Sequence, residues 1–200
     1  MVSNSKKIIF LLAFSSIIFS CRTANISNYY FKNQQVLGSI KGTYIQQYKN
    51  KPFSIEFTDK LFNHVSIEFI TDSIKYIYEF EIKESRIKDT LIKYNLQSGE
   101  VQRIIAQMKS IHCIWINNLD YYTDNKKKQL VFISIKSKPL ILPFNNKKYF
   151  IITYFSQPQY FDAEGRLLDK RHLHKLRKIN EDIFKRINDK VAYTISDRYR

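Results

Sequence analysis

The feature that most constrains the fold of this 200-residue sequence is a stretch in which apolar and polar residues alternate with a period of two. In its clearest part, apolar residues occupy every second position from Ile74 to Ile82, with mostly charged residues between them. Because the side chains of a β-strand point alternately to opposite faces, this pattern predicts a strand with one buried and one exposed face. The same alternation at 53–57 and 65–69 predicts two further strands, and it is typical of an antiparallel sheet.

More strands are predicted where β-branched and aromatic residues cluster between turn-forming residues. The run at 148–155 is apolar at nearly every position, which is typical of a central strand covered on both faces. Pro139 and Pro143 flank the run at 140–144, and proline within a sheet is typical of an edge strand. The remaining strands are predicted at 42–48, 91–96, 111–117 and 129–136.

Two segments have helical periodicity instead. Ser98 is a typical N-cap residue, and Glu100 lies in the first turn, where a carboxylate stabilises a helix. The short helix that follows is predicted from apolar residues at positions i, i+3, i+4 and i+7, namely Val101, Ile104, Ile105 and Met108. A longer stripe over 168–189 predicts a second helix, with apolar residues Leu173, Leu176, Ile179, Ile183, Phe184 and Ile187.

The order of strands, short helix, strands and long helix predicts an α+β fold. We expect a mainly antiparallel sheet of about 7–9 strands, with one short mid-chain helix and one long C-terminal helix. The apolar fraction of 44% is high enough for a folded body. The 33 lysines and arginines against 18 acidic residues give a formal net charge of +15, which favours anionic partners.

The amino terminus has the pattern of an export signal. Lys6 and Lys7 precede an uninterrupted run of apolar and small residues at 8–19. That run is about a dozen residues long, whereas a membrane-spanning helix needs about 20. We therefore predict that residues 1–20 are a signal peptide. A signal-anchor helix is the alternative that the short run disfavours.

The end of this signal, Ile18-Phe19-Ser20-Cys21, resembles the lipobox of bacterial lipoproteins. The branched residue at Ile18 and the small residue at Ser20 match the pattern, while Phe19 stands where a small residue is more usual. The resemblance implies that Cys21 carries a diacylglycerol, that residues 1–20 are removed and that the new amino terminus is acylated, for example by palmitate. The alternative is an ordinary signal with an unmodified Cys21.

The resemblance also implies a location in the cell envelope. Arg22 follows the cysteine where enteric lipoproteins of the inner membrane have an acidic residue, which favours the outer membrane. The surface lipoproteins of Bacteroidota carry an acidic cluster there, and 22–25 has none, which favours the side that faces the periplasm. Residues 21–38 are then a tether, and residues 39–200 a single α+β domain. Loss of Lys6 and Lys7 with the signal would reduce the charge of +15 by two, to +13.

Few residues have the spacing that metal binding or thiol chemistry needs. Cys113 lies in an apolar strand-like run and is expected to be a small buried residue; a reactive thiol or a metal ligand with His112 is the alternative. His172 and His174 would share a face on a strand, but on the predicted helix they point about 200° apart and cannot hold one ion. We therefore predict no metal site and no cofactor.

Two other groups of charged residues in the sequence are a pair of carboxylates and a run of lysines. Glu79 and Glu81 share a strand face with lysines, as in a solvated surface with ion pairs. Lys126, Lys127 and Lys128 are predicted at the tip of a hairpin, where they either keep the protein soluble or contact an anion such as a lipid headgroup or a glycan. Aromatic residues beside them, Tyr121 and Tyr122, suit an interface of this kind or ordinary packing.

The motifs that identify common enzymes are missing from the sequence. It has no phosphate-binding glycine loop, no Gly-x-Ser-x-Gly, no His-Glu-x-x-His and no Cys-x-x-Cys. We predict a non-catalytic, membrane-anchored envelope lipoprotein, which binds a partner protein or an anionic envelope component through a basic surface. The alternatives are an enzyme that acts on an envelope substrate and a structural subunit of a secretion or motility assembly. The predicted compartment disfavours nucleic acid.

Overall fold

The computed structural model describes residues 26–123, 126–136, 149–170 and 172–199. The signal peptide 1–20, Cys21 and the strand expected at 140–144 lie outside these residues. The chain divides into two units, Met1–Leu37 and Gly38–Arg200. In the first unit, residues 26–32 are helical, where the sequence predicted a tether without pattern, and Tyr30 is buried while Phe31 is exposed.

Helix α1 (Gln34–Asn50) occupies the segment where a strand was predicted at 42–48, so that prediction was wrong. The buried positions follow a helical spacing, which the polar residues among them conceal in the sequence. Within the second unit the buried residues of this helix are Ile40, Thr43, Tyr44, Gln47 and Tyr48. The helix ends at Asn50, two residues before Pro52, which could not continue it.

The second unit is built on an antiparallel sheet of eight strands, which confirms the predicted α+β class and sheet type. The order across the sheet is β3-β2-β1-β4-β5-β6-β10-β9, and β7 pairs with β8 in a separate two-stranded sheet. The strands are β1 (Phe53–Phe57), β2 (His64–Ile70), β3 (Lys75–Glu81), β4 (Cys113–Thr123), β5 (Lys126–Lys136), β6 (Tyr149–Phe155), β7 (Lys178–Ile179), β8 (Asp182–Ile183), β9 (Lys185–Asn188) and β10 (Val191–Ser196).

Two helices connect β3 to β4. Helix α3 (Ser98–Ser110) confirms the predicted mid-chain helix, and its four predicted apolar residues are all buried. Helix α2 (Arg86–Lys93) replaces the strand predicted at 91–96, because Ile87 and Leu91 lie one helical turn apart and are both buried. The chain leaves α2 through Asn95, whose positive φ of 59° suits asparagine.

The long C-terminal helix predicted at 168–189 does not form, and this prediction was wrong. The segment folds instead into β7, β8 and β9 with turns between them. Asn180 and Glu181 join β7 to β8, and both have positive φ, as in a two-residue hairpin turn that a helix cannot contain. No strand was predicted at 191–196, where β10 lies between β6 and β9 in the sheet.

Helices and aromatic side chains cover one face of the sheet, which we call the helix face. There, the ring of Tyr94 at the end of α2 stacks on Phe69 with 3.9 Å between centroids, and the Lys41 ammonium of α1 lies 5.2 Å from the Tyr154 ring. On the opposite face, Tyr199 lies against Trp115 and donates to the Glu56 carboxylate.

The strand with the strongest alternation, β3, lies at the edge of the sheet. Of the residues predicted to face inward, Phe80 is buried, whereas Ile74 and Tyr76 are 54% and 41% exposed. An edge strand has a neighbouring strand on one side only, so the side chains on its inward face are less completely buried. Among the described residues, no helix is both long enough and apolar enough to cross a membrane.

Candidate functional site

A groove of about 460 Å³ opens where β3 turns into α2, beside α3. Its volume lies in the range of small-ligand sites, which is about 300–1,000 Å³. Five of the seven side chains that line it are polar or charged, and two are apolar. The seven residues are Ile82, Lys83, Glu84, Ser85, Lys88, Gln102 and Ile105.

The backbone of this turn is fixed by its own hydrogen bonds. The Glu84 N–H donates to the carbonyl oxygen of Glu81 at 2.9 Å, and the Glu81 N–H donates to the Glu84 carboxylate at 3.3 Å. The Ile82 N–H donates across to the carbonyl oxygen of Asn63 at 2.9 Å. These bonds hold the lining residues of the turn in one arrangement at the start of α2.

The charges in the groove leave two lysines uncompensated. Glu84 is engaged by Arg86, whose hydrogen bond and charge hold the pKa of the Glu84 carboxyl below its usual value. Neither Lys83 nor Lys88 forms an ion pair within the described part of the chain. Two free ammonium groups beside one groove form a site that attracts an anion.

Two neutral groups add hydrogen-bonding capacity to these charges. Ser85 is the N-cap residue of α2, but its hydroxyl makes no capping bond to the helix. Gln102 is exposed on α3 and contributes an amide. A phosphate, sulfate or carboxylate could therefore accept bonds from ammonium, hydroxyl and amide groups together, above an apolar floor that includes the buried Ile105.

The three lysines singled out from the sequence have different surroundings. They are the first three residues of β5, and the register pairs Lys126 with Thr123, the last residue of β4. Lys127 is in an ion pair of 2.8 Å with Asp120, Lys128 is half-buried, and Lys126 is exposed. The run is therefore partly neutralised by its own strand pair, and the groove lysines lie elsewhere.

A mostly buried polar cluster joins α1 to β4. The Tyr44 hydroxyl donates to the carbonyl oxygen of Phe53, and the Asn118 amide donates to the Asp120 carboxylate at 2.8 Å. Burial raises the pKa of Tyr44 well above its usual value, and burial also raises the pKa of Tyr48. Both hydroxyls therefore keep their protons at neutral pH, and the bond donated by Tyr44 links α1 to the backbone of β1.

The other candidates can be placed individually. Cys113 is fully buried, as predicted, and burial raises the pKa of its thiol to about 12. His172 and His174 lie in a turn, with ring centroids 6.0 Å apart. The prediction that they lie on a helix and point about 200° apart was therefore wrong. Among the described residues, no group of three or more histidine, cysteine or acidic side chains could hold a metal. Glu79 and Glu81 are both exposed.

Sequence reasoning missed the groove because its residues are scattered along the chain. Lys83 was among the lysines predicted to share a solvated strand face with Glu79 and Glu81, and no helix or strand was predicted at Lys88. The helical spacing of Ile87 and Leu91 would have indicated α2, and with it the turn that brings both lysines together. The approach of Gln102 from α3 depends on packing between helices, which has no local signal.

Comparisons of this chain with protein-family models, with curated proteins and with solved structures find no match. Its function must therefore be inferred from its own residues and their geometry.

Proposed function

We propose that this chain is a non-catalytic, lipid-anchored protein of the cell envelope that binds a phosphate-bearing anionic component through the groove between β3, α2 and α3. The observation that carries this proposal is the presence of Lys83 and Lys88 in one groove, without an acidic partner for either among the described residues. The lipobox-like sequence that ends at Cys21 supports the envelope location.

The electrostatics of the whole chain support the same kind of partner. The net charge is +15 for the whole sequence and +13 without Lys6 and Lys7, and it draws anions toward the surface over distances of about one Debye length, which is about 8 Å at physiological salt. At short range, a basic residue close to an anionic lipid surface contributes about 1 kcal/mol. Lys83 and Lys88 together would then contribute about 2 kcal/mol, which corresponds to roughly a thirtyfold change in affinity.

The test uses the full chain in a neutral detergent, with short polyphosphate as a soluble probe and calorimetry to measure affinity. We expect the variant Lys83→Glu/Lys88→Glu to bind the probe at least about thirtyfold more weakly than the wild type, because it removes two positive charges and adds two negative ones. The matched control is Lys60→Glu/Lys190→Glu, which changes the net charge by the same amount at two exposed lysines outside the groove. We expect this control to lose much less affinity.

Two results would contradict the proposal. Equal losses in the two variants would mean that only net charge matters and that the groove is not a site. A wild-type affinity that stays unchanged from about 50 mM to about 500 mM salt would exclude an electrostatic partner.

A further inference from the structure

The two edges of the eight-stranded sheet differ in how they are protected. At one edge, β9 has only four residues, begins with Lys185 and Arg186, and has an irregular register with β10. Short length, positive charge and a bulge are the features by which proteins prevent further strand pairing. At the other edge, β3 has seven residues in unbroken register with β2. No described strand pairs with its outer side.

The hydrogen bonds at the two ends of the β2–β3 pair show which backbone groups of β3 face outward. The Ile82 N–H bonds to Asn63, and the Thr71 N–H bonds to Ile74. In an antiparallel pair such bonds occur at every second residue. The even-numbered residues of β3 therefore bond to β2, while the N–H and C=O groups of Lys75, Ile77 and Glu79 point to the open edge.

The side chains along this edge are unusually apolar for a solvated strand. Ile77 is 62% exposed, and Ile74 and Tyr76 are also exposed. A regular edge with exposed apolar residues is a template for pairing with another chain. A strand that pairs with this edge must match the charges and the apolar residues of β3.

The sequence of β3 is complementary to itself. We infer that β3 pairs in antiparallel fashion with the β3 strand of a second copy of this chain, about a two-fold axis at Ile77. In that register Lys75 lies opposite the partner's Glu79, and Tyr76 lies opposite the partner's Tyr78. Ile77 then lies opposite the partner's Ile77.

Opposite charges and paired aromatic residues directly across two strands both stabilise a sheet, whereas like charges destabilise it. Moving the axis to Lys75 would place two lysines opposite each other, and moving it to Glu79 would place two glutamates opposite each other. An axis at Tyr78 would place Lys75 opposite Glu81, but it would also place the exposed Ile77 opposite the charged Glu79. The axis at Ile77 pairs opposite charges and also keeps Ile77 opposite an apolar residue, so we favour it. Lys75 also bonds to Glu68 of the neighbouring strand at 2.8 Å, so each lysine would lie between two carboxylates.

This interface does not depend on the proposed anion groove, because the groove residues begin at Ile82, beyond the end of β3. A two-fold axis would make the contact self-limiting, so that two copies form one continuous sheet. The well-protected β9 edge would then form both outer ends of the dimer.

The first experiment measures the mass of the full chain in neutral detergent by sedimentation, using charge reversal. We expect the wild type to be a dimer. Lys75→Glu and Glu79→Lys each place like charges opposite each other at both symmetric contacts, so each variant alone should dimerise at least about tenfold more weakly. An equal mixture of the two variants should form heterodimers, and the double variant Lys75→Glu/Glu79→Lys should recover wild-type dimerisation.

The results of this experiment distinguish pairing through β3 from association through another surface. A wild type that stays monomeric at about 100 μM, where an affinity of micromolar order already gives dimers, would overturn the inference. Single variants that dimerise normally, or a mixture no better than either variant alone, would also overturn it. The rescue by mixing keeps the test informative if one substitution lowers stability.

A second experiment tests the register directly. In a hydrogen-bonded antiparallel pair the Cα atoms are about 5.5 Å apart, which is within the range that a disulfide spans. We expect Ile77→Cys to form a covalent dimer on mild oxidation, with the link mapped to residue 77 in both chains. The control is Glu81→Cys, an exposed residue on the same face whose two copies would lie far apart. A link that forms as readily at residue 81 would contradict the register.

Discussion

At the scale of single residues, side-chain bonds to the backbone decide how this chain turns. The Asp59 carboxylate accepts hydrogen bonds from the backbone N–H groups of Leu61, Asn63 and His64, at 3.1, 2.8 and 2.8 Å. These bonds hold the loop between β1 and β2 in a shape in which Phe62 takes a positive φ of 58°. Its ring can then bury itself against Phe57.

This loop should make part of the stability depend on pH. Desolvation raises the pKa of Asp59, but the three N–H donors and the charge of His64 outweigh it, so the net pKa is lowered. A carboxyl with a lowered folded pKa stabilises the protein above its unfolded pKa, which is about 3.9, and this contribution is lost as the pH falls through the folded value.

We expect Asp59→Asn to lower the free energy of unfolding by about 1 kcal/mol at pH 7, because an amide has one acceptor oxygen where the carboxylate uses two. The difference between wild type and variant should shrink toward zero below about pH 4. Urea titrations of both proteins across this pH range measure it. A difference that is the same at pH 7 and pH 3 would show that the charge of Asp59 is not responsible.

At the scale of elements, the periodicity of apolar residues predicted several regular strands correctly. It did not predict the helix in which polar side chains are buried. The alternation at 53–57 and 65–69 predicted β1 and β2, because each strand turns one face to the core. Helix α1 was missed because Gln47 is buried on its inner side. There it accepts a bond from the Gln97 N–H at 2.9 Å and so satisfies the start of α3. Such a partner is visible only in three dimensions.

The C-terminal segment misled periodicity for a different reason. Ile179 and Phe184 are buried, as the predicted helical stripe required, but they belong to two sides of a tight hairpin. Apolar residues about four apart fit either arrangement. The turn was not recognised in the sequence, because Asn180 and Glu181 lack the glycine that usually marks such a turn.

The groove could not be predicted from the sequence either, because Lys83 and Gln102 come to line it only when the chain around α2 packs beside α3.

The C-terminal residues cover the opposite face of the sheet, and Tyr199 joins several strands there. Its ring lies against Trp115 and Tyr149, and its carbonyl oxygen accepts a bond from the Ser134 hydroxyl at 2.6 Å. Its own hydroxyl donates to Glu56 of β1. This one residue therefore contacts β1, β4, β5 and β6.

We expect Tyr199→Phe to lower the free energy of unfolding by about 1 kcal/mol, through loss of the bond to Glu56. Tyr199→Ala should cost about 2 kcal/mol or more, because the ring contacts are lost as well. Chemical denaturation of the three proteins measures the two steps separately. If the alanine variant were as stable as the wild type, the C-terminal residues would not contribute to holding this face.

At the scale of the whole molecule, the proposed lipid attachment at Cys21 would determine where the proposed functions act. A single acyl chain gives only weak attachment to a bilayer, whereas the two or three chains implied by the lipobox hold a protein durably. Attachment to one membrane would also raise the effective concentration of neighbouring copies, and this would favour the inferred pairing through β3.

We expect Cys21→Ser to move the protein from the membrane fraction to the soluble fraction, because no acyl chain can then be attached. Fractionation followed by mass analysis of the amino-terminal peptide measures both location and lipid. The control is Cys113→Ser, which removes the buried thiol and leaves Cys21 in place. A Cys21→Ser protein that still carries lipid and stays in the membrane would exclude a lipoprotein.

The position of β10 in the sheet has a consequence for the order of folding. Its residues 191–196 pair with β6, which is the most apolar strand, yet they come late in the chain. As the chain is made or exported from its amino end, β6 has an open apolar edge until Ser196 has emerged. The eight-stranded sheet is therefore completed only after the last residues of β10 are available to pair with β6. During that interval the open edge of β6 is exposed to pairing with other chains.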